Sequence, residues 1–139
     1  MKLMLDTNIC IFIIKQQPEA VLKRFLDYNV GDIGISAITL SGLRYGVAKS
    51  KHREKNSEAL EEFMIPLEIL PFDEEAAQAY GDIRTSLEKA GTPLGAMDML
   101  IAAHAVSKGL ALVTNNTREF SRVSSLTFVD WVPQTTGTK

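Results

Sequence analysis

The sequence predicts a single α/β domain in which a short central parallel sheet is flanked by helices on both faces. The first observation is length, because 139 residues correspond to one domain. The second is the alternation of short apolar segments with longer segments of helical periodicity. The third is that the predicted strands are short and apolar, as expected for strands covered on both faces. In such sheets ligands bind at the carboxyl ends of the strands.

Three strands and four helices are predicted in the first half of the chain. The strands cover residues 2–5, 33–36 and 67–70, and the helices cover residues 8–15, 18–26, 39–50 and 49–62. Pro18 suits a first helical turn, where an N–H group would have no helical partner. The last of these helices is dense in charge, and we therefore expect it to be mostly exposed.

The second half begins with the clearest helix, for which Asp73 is the expected N-cap and Gly91 the C-terminal stop. Its apolar positions are three or four residues apart. After it the sequence predicts a helix over 97–108 that Gly109 closes, a strand over 110–113, a short helix over 117–122 and a last strand over 127–129. We expect residues 1–132 to form one domain and residues 133–139 to be a frayed, disordered tail.

The composition limits the class of protein. A single cysteine, Cys10, excludes a disulfide framework and a cysteine-based zinc cluster, and we expect it to be a buried hydrophobic side chain. Fifteen basic residues against seventeen acidic ones give a net charge of −2, which argues against binding nucleic acid by bulk positive charge. An enzyme that handles nucleic acid through metal ions and a local basic patch remains open. With no targeting signal and no membrane-spanning run, a cytoplasmic location is expected.

Polar side chains end three of the predicted elements. They are Asp6 after the first strand, Asp98 in the first turn of an apolar helix, and Thr114, Asn115 and Asn116 after a later strand. Each has an ordinary structural explanation, since such residues cap helices, interact with helix dipoles and form turns. Taken together, carboxylates that converge at one edge of a sheet suit a hard divalent cation such as Mg²⁺. The chemistry that follows is metal-assisted phosphodiester hydrolysis.

Four longer segments carry a resemblance to a known family. They are MLDTNI at 4–9, ITLSGLRYG at 38–46, GAMDMLIAAHA at 95–105 and VTNNTREF at 113–120. In this order and spacing they resemble the PIN-domain ribonuclease toxins, and in particular the VapC toxins of bacterial type II toxin–antitoxin pairs. The resemblance extends from the first strand to about Trp131 and implies a PIN-like three-layer sandwich.

The resemblance implies a Mg²⁺- or Mn²⁺-dependent endoribonuclease that cleaves RNA, usually tRNA. Asp6 and Asp98 correspond to the family's metal-binding aspartates, and Asn116 lies where a side chain orients a metal-bound water. Thr114, with Thr7 and Glu119, would support these groups from behind. The resemblance further implies a homodimer that a VapB-type antitoxin silences with a tail carrying a basic side chain.

One position departs from the family pattern. Gly42 stands where the family has a glutamate, and it is thus the position of an expected third catalytic acid. Glycine inside a helix costs about 1 kcal/mol relative to alanine, so the helix gains nothing from the change. We therefore hypothesise that the chain is an attenuated toxin, engineered or selected because the active form harms its host, with weak or absent nuclease activity.

Contact with RNA would depend on a local group of basic residues. The candidates are Arg44, Lys49, Lys51 and Arg53, with His52 and Lys55 in the same cluster. For any one of them a solvated face is the simpler explanation, whereas as a group they are the best candidates for steering phosphates. Three further side chains have plain structural explanations: His104 as a packed core residue, and Met97 and Met99 as packing or dimer contacts.

Two alternatives belong to other functional classes. In the first, the chain is a non-catalytic PIN module whose acidic pocket only binds a metal or accepts a basic side chain of an antitoxin, and Gly42 favours this option. In the second, it is a receiver-type phosphoacceptor domain, which needs an acidic pair after the first strand and a late lysine. Asp6 has no acidic neighbour and residues 113–116 contain no lysine, so the second alternative is weak.

Overall fold

A five-stranded parallel sheet with strand order β3-β2-β1-β4-β5 forms the centre of the molecule, as given by a computed structural model that describes residues 1–133. The strands are β1 (Leu3–Leu5), β2 (Ile33–Ser36), β3 (Glu68–Leu70), β4 (Ala111–Val113) and β5 (Phe128–Val129). The helices are α1 (Thr7–Lys15), α2 (Glu19–Leu26), α3 (Ala37–Ala48), α4 (Arg53–Met64), α5 (Glu74–Ala90), α6 (Ala96–Lys108) and α7 (Thr117–Phe120). The tail predicted for residues 133–139 lies, apart from Pro133, outside the described residues.

The predicted elements are all present, and the prediction is wrong at two helix starts. Helix α3 begins at Ala37 rather than near Thr39, because Ser36 Oγ accepts the Ile38 N–H at 3.0 Å and caps the helix directly after β2. Helix α4 begins at Arg53 rather than at residue 49, because the intervening residues turn between α3 and α4. The two predicted glycine stops are confirmed, since Gly91 and Gly109 adopt left-handed φ angles of 72° and 65°.

Helices cover the sheet on both faces, which confirms the three-layer arrangement. Along β1, Met4 packs into the core beside α5 and α6, whereas Leu3 and Leu5 pack into the core beside α1 and α4. This alternation follows from the two-residue period of a strand. Cys10 and His104 are fully buried, as expected from the sequence. Between residues 1 and 133, no helix has both the length and the apolar character needed to cross a membrane.

The strand order creates a switch point between β1 and β4. From β1 the chain adds β2 and β3 on one side, and it then returns to add β4 and β5 on the other. The crossover connections therefore diverge at the carboxyl ends of β1 and β4, which is where open α/β sheets bind ligands. Asp6 follows β1 at this point, and its backbone N–H donates to Val113 O at 3.0 Å. Thr114 follows β4 in the same crevice.

Candidate active site

Asp6 is both a helix cap and a buried carboxylate of the crevice. Its Oδ1 accepts the Ile9 N–H at 3.0 Å, which begins α1, and the Thr114 hydroxyl hydrogen-bonds the same carboxyl group. The residue is only 5% exposed. The expected role of Asp6 as a helix cap is therefore confirmed. Capping alone does not explain why its charge is buried.

The electrostatic environment of Asp6 disfavours its charged form. Burial raises the pKa of this carboxyl from 3.8 to about 6, while the hydrogen bonds from Thr114 and Ile9 lower the pKa and the charge of Asp98 raises it further. Within residues 1–133, no lysine, arginine or histidine forms an ion pair with Asp6 or with Asp98. The crevice is thus anionic and uncompensated, which is a suitable environment for a cation.

Asp98 reaches the crevice from the first turn of α6. It follows Gly95, an N-cap without a side chain, and it is half-buried. Burial and then the charge of Glu119 raise the pKa of the Asp98 carboxyl. Glu119, in α7, is therefore electrostatically coupled to Asp98, and Asp98 in turn to Asp6. Three acidic residues that are distant in sequence are thus close enough to influence one another's charge in pairs.

The end of β4 holds Asp6 from the opposite side of the crevice. Thr114 is fully buried, and its Oγ1 accepts the Asn116 N–H at 2.9 Å while its hydroxyl also bonds Asp6. A hydroxyl has one donor and two acceptor lone pairs, so both bonds form together. The side chain of Asn116 does not cap α7, although Asn116 occupies the N-cap position. Its amide is therefore not committed to the helix that follows.

Position 42 faces the start of α1. A Cβ atom added to Gly42 would meet Thr7 Cγ2 at 3.8 Å, which is an ordinary van der Waals contact. No left-handed backbone angle requires glycine at this position. A side chain at position 42 is therefore sterically acceptable, and it would start beside the residue that follows Asp6.

The carboxylates suit Mg²⁺ or Mn²⁺ in the chemistry of their donors. Both ions prefer oxygen ligands, and Mg²⁺ often binds through one or two carboxylates while keeping several waters. The described part of the chain contains no group of three or more acidic, histidine or cysteine side chains placed to hold a metal. What it offers is Asp6 and Asp98, with Glu119 behind Asp98. This set fits one ion better than two.

The predicted RNA-binding residues differ in their environments. Arg44 is occupied, because its Nη2 lies 2.6 Å from Glu61 Oε2 and links α3 to α4. Lys49 Nζ lies 4.8 Å from the centre of the Tyr45 ring. Lys51 and Arg53 are exposed at the junction of α3 and α4. Arg44 therefore has a carboxylate partner, whereas Lys49 has an aromatic one.

Two features of the site region were not predicted from the sequence. Ser36, which caps α3, also lies 2.7 Å from His104 Nδ1 and so joins the start of α3 to α6. The signal was available, since a serine directly after a strand and before a helical pattern is a typical cap. Tyr45 is 65% exposed despite its size. Met97 is also exposed, whereas Met99 is buried and packs in the core.

The fold and these residues define a PIN domain. A parallel sheet of this order, with aspartates after β1 and at the start of α6, is accompanied by a match of residues 3–126 to the family model of the PIN domain. The chain belongs to the PIN domain family, and the predicted resemblance is confirmed.

The relatives of the chain are VapC ribonucleases. It is 48% identical over 131 residues to the tRNA(fMet)-specific endonuclease VapC of Shigella flexneri, covering 94% of this chain and 98% of that protein. It is 45% identical over 132 residues to Ribonuclease VapC2 of Haemophilus influenzae, covering 95% and 99%.

Solved structures agree with these relatives. DNA-bound VapBC from Salmonella typhimurium superposes with a TM-score of 0.90 at 47% identity, covering 95% of this chain and 99% of that chain. VapBC2 from Rickettsia felis, bound to a DNA fragment from its promoter, superposes with a TM-score of 0.88 at 39% identity, covering 95% and 100%. The three-layer PIN fold expected from the sequence is therefore confirmed.

Proposed function

We propose that this chain is the toxin of a VapBC-type pair, a metal-dependent endoribonuclease whose activity is attenuated by Gly42. The observation that carries the proposal is the Asp6 carboxylate, which is 5% exposed, has no cation partner in the described residues and is coupled to Asp98. A buried, unpaired charge at the switch point of the sheet lowers stability, and its presence is explained by a bound cation.

In this proposal Asp6 and Asp98 hold Mg²⁺ or Mn²⁺. When bound, the ion activates water and stabilises the leaving oxygen of an in-line displacement at phosphorus. Asp6 is oriented before the ion arrives, because Ile9 N–H and the Thr114 hydroxyl both bond its carboxyl group. Asn116 has a side-chain amide free of the α7 cap and is the proposed group that orients the attacking water. Glu119 and Thr7 support these residues without themselves binding the ion.

Attenuation follows from the missing carboxylate at position 42. Gly42 lies inside α3 and faces Thr7, so a glutamate there would extend from beside the start of α1. Without it the crevice has fewer oxygen ligands and a weaker field for the ion and the activated water. We therefore propose that the chain binds one ion and cleaves RNA slowly.

The proposed partners are a VapB-type antitoxin, an RNA substrate and a second copy of the chain. Similarity to solved VapBC complexes supports the antitoxin. Similarity to a relative named as a tRNA(fMet)-specific endonuclease supports tRNA as the substrate class. The homodimer and a cytoplasmic location are proposed on the family resemblance.

A non-catalytic module that binds the antitoxin is the second candidate. Gly42 and the absence of a three-acid cluster in residues 1–133 both favour it. Titration with Mn²⁺ at millimolar concentration distinguishes the nuclease from a module that only accepts a basic side chain of the antitoxin, because only the nuclease requires an ion in the crevice; a module that binds metal without catalysis is distinguished by the cleavage assay. Binding that is lost in Asp98→Asn supports the nuclease, whereas no binding supports the module.

The proposed nuclease is tested by cleavage of total RNA in the presence of Mg²⁺. Three proteins are compared: the chain, Gly42→Glu, and Gly42→Glu with Asp98→Ala. We expect Gly42→Glu to cleave about 100-fold faster than the chain or more, since one electrostatic group in an active site is worth about 10²–10³ in rate. We expect Asp98→Ala to abolish the gain. Equal cleavage by the chain and Gly42→Glu contradicts the attenuation, and undiminished cleavage with Asp98→Ala contradicts the site.

A further inference from the structure

An exposed aromatic residue and a lysine lie side by side at the C-terminal end of α3, beyond position 42, with Tyr45 in the helix and Lys49 as its C-cap. The Tyr45 side chain is 65% exposed, and Lys49 Nζ lies 4.8 Å from the centre of its ring. Large aromatic side chains are usually at least partly buried, because their burial removes much apolar surface from water. Neither the fold nor the proposed metal site explains why Tyr45 remains on the surface.

Helix geometry gives the direction of Tyr45 relative to the crevice. Successive residues of an α-helix are rotated by about 100°, so Tyr45 and Ile38 lie about 60° and 40° to one side of Gly42. Gly42 itself faces Thr7, and Ile38 packs against the core beside α5 and α6. Leu43, about 100° to the other side, packs against the core beside α1 and α4. Tyr45 therefore lies on the side of α3 that faces α6, the helix that carries Asp98.

Lys49 continues the same side of the helix. It lies about 20° from the direction of Gly42 and about 10 Å further along the axis. In the described part of the chain Lys49 forms no ion pair with a carboxylate. Its ammonium group lies over the Tyr45 ring instead. Arg44 differs, since it points elsewhere and is paired with Glu61. Of Arg44 and Lys49, Lys49 is thus the one without a carboxylate partner in the described residues and available to a phosphate.

We propose that Tyr45 and Lys49 form a nucleotide subsite, in which the Tyr45 ring stacks on an unpaired base next to the cleaved phosphodiester and Lys49 contacts its phosphate. Sequence-tolerant binding of single-stranded RNA uses this combination of an aromatic face and a nearby cation. The inference rests on the proposed nuclease function and adds the two residues that would hold a nucleotide beside the cut. A paired duplex cannot offer a base to the ring without breaking its own stacking.

Binding in EDTA tests the subsite without cleavage. The probe is a fluorescein-labelled RNA hairpin with an unpaired loop, and the same label on a fully paired duplex serves as comparison. We expect the chain to prefer the hairpin and Tyr45→Ala to weaken hairpin binding by about fivefold or more, the lower range for loss of one stacked base. Tyr45→Phe should stay within about twofold, because the ring face is kept. Ile65→Ala, an exposed apolar residue between α4 and the amino-terminal end of β3, should change nothing.

Salt dependence separates the two members of the subsite. Lys49→Gln should reduce the slope of log affinity against log salt by about 0.7, the contribution of one phosphate contact on a single strand. Tyr45→Ala should leave the slope unchanged, because stacking releases no counterions. Lys2→Gln is the matched control, since Lys2 is an exposed lysine at the amino-terminal end of β1 and should affect neither quantity.

Three results would overturn the subsite. The first is equal hairpin affinity of the chain and Tyr45→Ala, and the second is no binding of hairpin by the chain itself. The third is a fall in sedimentation mass from dimer to monomer in Tyr45→Ala, which would assign the ring to a contact between copies. If Gly42→Glu cleaves RNA while Tyr45→Ala leaves hairpin binding unchanged, only the subsite fails. If Gly42→Glu does not cleave, the proposed function fails independently.

Discussion

Two aspartates of this molecule perform the same local task in opposite surroundings. Asp6 caps α1 by accepting Ile9 N–H at 3.0 Å, and Asp73 caps α5 by accepting Ala76 N–H at 3.1 Å. Asp73 also bonds Lys108 Nζ at 2.6 Å, and its side chain is 40% exposed. Asp6 is 5% exposed and has no such partner in the described residues. The two caps therefore differ only in what the rest of the fold brings to them.

The difference appears in the direction of the pKa shifts. The hydrogen bond from Lys108 and the cap bond from Ala76 hold the pKa of Asp73 below its ordinary value. Burial, assisted by the charge of Asp98, raises the pKa of Asp6 to about 6. A capping bond therefore does not by itself indicate a structural role. A cap whose charge is buried without compensation instead indicates a candidate functional site.

The largest expected difference between the two caps is in catalysis. In the Gly42→Glu background, Asp6→Asn should lower the initial rate of RNA cleavage with Mg²⁺ by about 100-fold or more, as for loss of one electrostatic group in an active site. Asp73→Asn is the matched control, because it makes the same isosteric change at the other cap. Its rate should stay within about twofold, and equal losses in both variants would place the chemistry elsewhere.

The next difference is in stability, where the two substitutions should have opposite signs. Asparagine keeps the cap acceptor, so Asp6→Asn mainly removes a carboxylate whose pKa is raised from 3.8 to about 6. A shift of about two units corresponds to about 3 kcal/mol, so the free energy of unfolding at pH 7.5 should rise by up to that amount. Asp73→Asn breaks the pair with Lys108 and should lower Tm instead.

The pH dependence of this gain in the free energy of unfolding tests whether the buried charge is its cause. Because the folded protein binds the Asp6 proton more tightly than the unfolded chain, its stability falls as pH rises from about 4 to about 6. The advantage of Asp6→Asn in urea unfolding should therefore vanish near pH 4 and reach its full size above pH 6. An advantage that is constant with pH would contradict the buried charge as its cause.

The smallest expected difference is in stabilisation by metal. Mn²⁺ at ten times its dissociation constant should raise the free energy of unfolding by about 1.4 kcal/mol, provided that it binds only the folded chain. Asp73→Asn should respond in the same way, whereas Asp6→Asn should not respond. The measurement is thermal unfolding with and without Mn²⁺, and a response in Asp6→Asn would exclude Asp6 as a ligand.

Much of the fold and part of the site were predictable from the sequence. Strands and helices were placed correctly because apolar periodicity and glycine stops are local signals, and the two wrong helix starts lie at α3 and α4. The apolar pattern indicates a helix from Thr39 onward, but the Ser36 hydroxyl caps the helix and α3 therefore begins earlier. The ion pair between Arg44 and Glu61 was not predictable, because the two residues are 17 positions apart on different helices.

The elements, the two caps and the departure at Gly42 can all be read from the sequence, because each depends on residue type or on neighbours within a few positions. The capping bonds of Asp6 and Asp73 both join residues three positions apart. Which of the two caps is electrostatically paired depends instead on contacts between residues that are distant in sequence. Lys108 reaches Asp73 across 35 positions, whereas Asp98 and the buried end of β4 reach Asp6 and bring no cation. Charge compensation and burial are long-range properties, and for this reason packing rather than local sequence distinguishes the two aspartates.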